Sequence, residues 1–433
     1  MTTSPESAAP AGLHAATRCC IAGGGPAGMV LGLLLARAGV AVTVLEKHTA
    51  FLRDFRGDTV HPSTLQVLHE LGLLDDFLRR PHDEVRQLHA TVYGHEMVLA
   101  DFAHVPARCR FIALMPQWDV LDFIRHAAVR YPGFRLLMDA EATGLLRNGQ
   151  GDVTGVALRT GAHAGQPVEG RLRADLVIAA DGRHSTLRAA AGLPLHDLGS
   201  PIDVLWMRLP RQPGDPDITG GYLEPGCFFV TINRGDYWQC ALVIPKGGSA
   251  GLQARGIASF RATIAGVAPF LAGRLEAALP DWEPVKLLSV RVDRLERWWL
   301  PGLLCIGDAA HAMSPVGGVG INLAVQDAVA TANLLAAALA DGRPASALTP
   351  LLQQVQQRRM WPARATQAAQ VMLHRRLLAP VVVASGAGGG AEGRPPVPPW
   401  PMRLLDRFPV LRGLPARAVG MGVRPEHVRS PRH

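Results

Sequence analysis

Short apolar runs, each the length of a buried strand, recur along the chain, and three of them end abruptly in glycine or aspartate. Residues 18–22 (RCCIA), 176–180 (LVIAA) and 303–306 (LLCI) are continuous rather than alternating, as strands buried on both faces of a parallel sheet are. Two longer stretches, MVLGLLLARAG after the first run and INLAVQDAVATANLLAAAL after the third, repeat apolar residues at helical spacing. Residues 201–245 behave differently, alternating apolar and polar positions like a sheet with one buried face. The alternation of runs and helices predicts an α/β chain on a largely parallel sheet, with residues 201–245 and those near 85–104 in a second sheet.

Read this way, the domains are discontinuous. A leader spans residues 1–16, and the parallel-sheet domain takes residues 17–80, 110–195 and 286–345. The second, mixed β-sheet domain takes residues 81–109 and 196–285, and a C-terminal helical region follows at 346–433. Glycines and prolines at 384–399 rule out helix and central strand there and predict a loop. The leader lacks the basic start and unbroken apolar run of a secretory signal, so a cytoplasmic protein is expected. Glycines, polar residues or acids interrupt the longest apolar stretches, and no transmembrane helix is expected.

The first joint carries the clearest chemistry. After RCCIA the turn reads Gly23-Gly24-Gly25-Pro26-Ala27-Gly28, which is GxGxxG between a strand and a helix. Gly23 suits the tight turn, Gly25 lets backbone approach a pyrophosphate, and Gly28 lets the helix pack close to the strand. The next apolar run delivers Glu46, where a carboxylate can accept both hydroxyls of an adenosine ribose. Lys47 follows it. A 2′-phosphate would be repelled by Glu46, so the expected ligand is FAD or NAD.

The second run ends in Asp181-Gly182, with Ser185 and Thr186 as helix caps. The third ends in Gly307-Asp308-Ala309-Ala310-His311, followed by Pro315-Val316-Gly317-Gly318-Val319-Gly320 and a helix. Together, and in this order, the three joints resemble the signature of the group A flavin monooxygenases, the family of para-hydroxybenzoate hydroxylase and the ubiquinone-pathway hydroxylases. The resemblance covers about residues 18–380. It implies a Rossmann-like FAD-binding domain, with Arg56 against the flavin, Gln117 and Asp308 on the ribityl chain, and Asp181 supporting both FAD and the pyridine nucleotide. A helix beginning near Gly320, Ile321 and Asn322 would aim its positive end at whatever the glycine loop holds. His311 is expected to pack beneath that loop rather than transfer protons.

The family reaction would use NAD(P)H as a transient co-substrate and dioxygen, forming a flavin hydroperoxide that inserts one oxygen into an aromatic or polycyclic small molecule. With no second complete GxGxxG unit, the nicotinamide has no domain of its own. The protein's task is then to orient substrate and exclude water. The expected substrate wall is Trp206, Tyr222, Phe228, Phe229, Thr231, Tyr237 and Trp238, drawn from the alternating block.

Composition narrows the alternatives. Six scattered cysteines without CxxC spacing argue against a metal cluster or a disulfide framework. The net charge of +8 comes almost wholly from dispersed arginines, without an aromatic-basic module, so nucleic acid is not an expected partner. The basic stretch QQRRMWPARATQAAQVMLHRRLL leaves a homodimer or a peripheral membrane contact open. A flavin halogenase is disfavoured by the missing WxWxIP tract. An FAD-dependent reductase of the same fold and a non-catalytic flavin-binding protein remain as alternatives.

Overall fold

The structure is a computed structural model, and it describes residues 14–51, 59–378 and 397–433. The first strand, His14–Ala22, lies at the centre of an eight-stranded sheet, parallel to Val168–Ala179 on one side and to Val42–Glu46 on the other. Leu303–Cys305 and Phe134–Met138 extend it in parallel register. These strands hold the continuous apolar runs because helices cover them. Pro26–Arg37 packs against the sheet, and the 22-residue helix Val319–Ala340 packs against Pro26–Arg37. The strand begins earlier than its apolar run suggests: His14, Ala15 and Ala16 pair with Arg171, Leu172 and Arg173, so residues 14–16 belong to the sheet and not to a leader.

The second sheet has seven strands, in the order 286–288, 202–210, 237–245, 227–233, 220–224, 87–92, 95–101. It is antiparallel except where Gly220–Glu224 runs beside Gln87–Val92. Lys286–Leu288 pairs with Ile202–Pro210, which moves the boundary read at residue 286 to the far side of that strand. The reason is local: the strand is too short, and too exposed at Lys286 and Leu287, to carry the apolar signature of the parallel sheet.

One face of this sheet packs on the helix Ile257–Val267 and the turns after it, with Phe229, Trp238, Cys240, Leu205 and Met207 in the interface. The other face looks towards the parallel sheet. The C-terminal region is helical as expected, led by the 29-residue helix Ala345–Leu373. Of the loop read at 384–399, residues 384–396 lie outside the described residues. The segment Val316–Ala340 is long and apolar enough to cross a membrane, but 78% of its most apolar window is buried inside the fold, as the central helix of a core is.

Candidate active site

The C-terminal ends of the parallel strands face the free side of the seven-stranded sheet across one cavity of about 1460 Å³. That exceeds the roughly 300–1,000 Å³ typical of a site for one small molecule, and the two halves of its wall differ in kind.

The first half is built largely from backbone. Gly23 has φ of +110°, and a Cβ there would stand 2.3 Å from the Ala180 carbonyl oxygen, so only glycine lets the turn pass between the two strand ends. Around a Cβ on Gly25, by contrast, none of the described residues comes within 4 Å. Its open side, with Pro26 and Ala27, forms cavity wall at the start of the helix. A Cβ on Gly28 would meet the Gly23 carbonyl oxygen at 2.0 Å, so this glycine sets the helix against the turn and does not reach the cavity.

Glu46 is 2% exposed and ends its strand at the cavity. Its Oε2 accepts the Gly24 N–H at 2.9 Å and its Oε1 accepts the His48 N–H at 3.1 Å, which fixes the carboxylate beside the glycine turn. Lys47, Gln117, Gly182 and Asp308 also line this half, with Asp308 3.3 Å from the Arg183 guanidinium. Asp181 borders the cavity too. It accepts from the Ser185 hydroxyl and from the Leu187 N–H, so it organises the following turn of helix, and burial raises its pKa. Arg56 lies outside the described residues.

Pro315, Gly318, Gly320 and Ile321 close this half. Gly318 has φ of +63°, and a Cβ on it would press to 2.5 Å from Thr59 Oγ1, so the loop lies tight against that strand. Among the described residues no side chain caps the helix that starts at Val319, which leaves its first amides and its positive end at the cavity. Asn322 does not share this position. Its buried side chain accepts hydrogen bonds from Ser63 and Thr64 and ties two helices together. Helical rotation explains the difference, because one step past Ile321 turns the side chain by about 100°.

Gly307 is likewise committed to the protein: its N–H donates to Asp327 Oδ2 at 3.0 Å. Asp327 is the residue that the sequence reading missed. Wholly buried, it also meets His311 Nε2 at 2.6 Å and Arg359 Nε at 2.8 Å. Burial alone would raise its pKa, but the charges and hydrogen bonds of His311 and Arg359 hold it below the usual carboxylate range. Asp327 thereby anchors the GDAAH loop, and His311 sits against the Trp298 ring away from the cavity. The signal available was an acid in the middle of the apolar helix INLAVQDAVATA. His61, also fully buried, donates from Nδ1 to the Val419 carbonyl, and burial pushes its pKa down to about 4.

The second half of the cavity is a side-chain surface. Val204 and Trp206, Phe228, Val230 and Ile232, and Gln239, Ala241 and Val243 face it from three neighbouring strands. Of the seven residues expected on the substrate wall, Trp206 and Phe228 are on it. Tyr222, Phe229, Thr231 and Trp238 are not: they point to the opposite face, where Phe229 and Trp238 are wholly buried in the core. Both faces of this sheet are apolar, so alternation gave the period but not which parity faces the cavity. Tyr237 is also off the wall, and carries the Arg208 guanidinium on its ring.

This backbone arrangement fits an FAD. It offers a glycine turn open where a Cβ would intrude, an uncapped helix start, and a buried acid at the end of the second strand. Comparison with known proteins agrees. Residues 16–369 match a family described as "FAD binding domain". The chain is 32% identical to 6-methylpretetramide 4-monooxygenase of Streptomyces rimosus over 96% of its length and 94% of that protein's. It is 27% identical to 3-demethoxyubiquinol 3-hydroxylase of Escherichia coli (strain K12) over 79% of its length and 85% of that protein's. Among solved structures, OxyS anhydrotetracycline hydroxylase from Streptomyces rimosus shares the fold at a TM-score of 0.69 and 20% identity, covering 94% of this chain and 77% of that one.

Proposed function

The chain belongs to the FAD-binding-domain family of group A flavin monooxygenases, and from that premise we infer that it is an FAD-dependent hydroxylase acting on an aromatic or polycyclic small molecule. The observation that carries this reading is a cavity in which a backbone cradle of dinucleotide form opens directly onto an apolar wall.

The roles of the chain's residues follow from their positions. Glu46, held by Gly24 and His48, would take the adenosine ribose. Gly25 and the helix start at Pro26 would admit the pyrophosphate, and Gln117 and Asp308 the ribityl chain. The amides of Gly320 and Ile321, at the positive end of a 22-residue helix, favour negative charge at the flavin ring. Bound FAD supplies the oxygen-activating chemistry. The valines, Ile232, Trp206 and Phe228 would hold the substrate and keep water from the reacting centre.

NAD(P)H is proposed as a visiting reductant, consistent with the one complete GxGxxG unit in the sequence. Work in the cytoplasm is proposed too, consistent with six unpaired, buried cysteines. The relatives named for 6-methylpretetramide and 3-demethoxyubiquinol point to ring substrates larger than a simple phenol.

The test is a visible spectrum of the purified protein, followed by NADH and NADPH oxidation under air with phenols, quinolones and polyketide aromatics, reading product mass and peroxide in parallel. A bound flavin, and one aromatic that both speeds oxidation and gains one oxygen, is the expected result. Bound flavin with turnover that persists without oxygen would move the protein to the reductases.

A further inference from the structure

We propose that residues 397–417 form a docking surface for an anionic lipid bilayer, and that docking turns the mouth of the cavity towards the lipid. Docking of this kind is independent of the reaction carried out in the cavity.

Exposure singles out the segment. Large apolar side chains exposed elsewhere, such as Val129, Val168, Ile218 and Leu287, are scattered along the chain, as is ordinary for a protein surface. Within residues 397–414, however, Val397, Trp400, Leu404, Phe408, Val410 and Leu414 are all exposed, from 40% at Leu404 to 91% at Val410. Most of them are carried by the helix Trp400–Arg407, the turn Pro409–Arg412 and the helix Gly413–Gly420. These three pack together over His95–Asp101, the edge strand of the seven-stranded sheet. Apolar side chains gathered in this way mark an interaction surface, where single ones would not.

Charge decides what covers it. Four arginines, Arg403, Arg407, Arg412 and Arg417, are interleaved with these side chains against a single acid, Asp406. Asp406 is matched by Arg412 at 3.7 Å, so the exposed Arg403, Arg407 and Arg417 remain as an excess of positive charge. A second copy of the chain, meeting this one about a twofold axis, would bring the same arginines face to face. Residues 379–396 carry one glutamate and one arginine and offer no countercharge. A folded acidic partner would need recesses matched to side chains as bare as Val410 and Leu414, whereas lipid conforms to them. An anionic leaflet satisfies both kinds of group at once: its phosphates pair with the arginines, and the apolar side chains enter the boundary between headgroups and acyl chains. Trp400 suits that boundary, with an apolar ring and a polar N–H.

The same segment walls the cavity on its inner side. Pro401, Met402, Leu405, Pro415 and Val419 line it, and Trp400 both lines it and is 75% exposed, which places an opening beside the apolar patch. With the patch in the headgroup layer, an apolar substrate passes from lipid to cavity without crossing bulk water.

The experiment is cosedimentation of the FAD-loaded protein with vesicles of phosphatidylcholine alone and with vesicles of phosphatidylcholine and phosphatidylglycerol in equal parts, at low and high salt. Flavin content and sedimentation-velocity mass are read on the same samples. Binding to the anionic vesicles is expected to be at least about tenfold tighter than to phosphatidylcholine, and to weaken with salt. Arg403→Gln with Arg407→Gln should weaken it by at least about tenfold, at roughly fivefold per charge. Val410→Asp with Leu414→Asp should abolish it. None of these four residues lines the cavity, so flavin content should stay at the parent's. Failure of the parent to bind anionic vesicles, equal binding to both vesicle types, or either double variant binding like the parent would overturn the inference. A parent dimer that Val410→Asp with Leu414→Asp splits would overturn it in favour of a second copy.

Discussion

The two halves of the cavity make their contacts with different parts of the chain. On the strand-end side, the wall is backbone at Gly25, Gly318 and Gly320; Gly25 lies between the sterically locked Gly23 and Gly28, and Gly318 is itself locked against Thr59. On the sheet side, the wall is every second side chain of three strands, and the intervening side chains are the core of the neighbouring layer. A ligand held by backbone amides constrains which positions lack a side chain. A ligand held by alternate side chains constrains volume and polarity and tolerates exchange. Cofactor binding should therefore be brittle at single atoms, and substrate binding should be graded.

The sharpest test of that contrast is Gly23→Ala. With positive φ and a Cβ only 2.3 Å from a backbone oxygen, the strand ends must part, at a cost above about 4 kcal/mol. Little folded protein and no flavin are expected, read by denaturant unfolding and visible absorbance. Next comes Phe229→Ala, on the core face of the sheet, where loss of a wholly buried ring should cost about 3–5 kcal/mol. Its neighbour Phe228, half-buried on the cavity face, should cost roughly half as much or less when cut to alanine and should change substrate affinity instead. Equal losses of stability at the two positions would erase the distinction between the faces.

Acid should act on the cofactor side. His61 is buried and neutral, with its pKa lowered from 6.5 to about 4, so the unfolded chain takes up the proton more readily than the folded one. Its contribution is complete above pH 6.5 and is lost as pH falls towards 4, amounting to on the order of 3 kcal/mol at most. Denaturant midpoints between pH 7 and 4 should fall, and His61→Gln should flatten that slope. The smallest effect on stability is expected at Gly25→Ala, where a Cβ meets none of the described residues within 4 Å. Unfolding should shift by no more than about 0.5 kcal/mol, yet flavin content should fall more than tenfold because the methyl occupies the cradle. Normal flavin content in Gly25→Ala would place the dinucleotide elsewhere.

What the sequence determined by itself follows the same division. GGGPAG, Glu46, the DG turn and the GDAAH–glycine loop were legible because a backbone-lined site is written as residue types at fixed spacing, with glycine where φ or close approach demands it. The turns and helix starts are local and readable from residues a few positions apart, even where, as at Gly23 against Ala180 and Gly318 against Thr59, the contact the glycine accommodates is distant. The parity of the seven-stranded sheet is not readable in this way: Tyr222, Phe229, Thr231 and Trp238 read as well for a substrate wall as Phe228, Val230 and Gln239 do, since both faces are apolar. Only the packing of Ile257–Val267 on one face decided which set met the cavity. Asp327 and its partners, and the strand Lys286–Leu288, were equally hidden, because their meaning lies in contacts between residues as distant as Gly307 and Arg359, or Trp206 and Lys286. Local spacing fixes the form of a turn, whereas the facing of a sheet and the pairing of buried charges are settled when the layers close on one another.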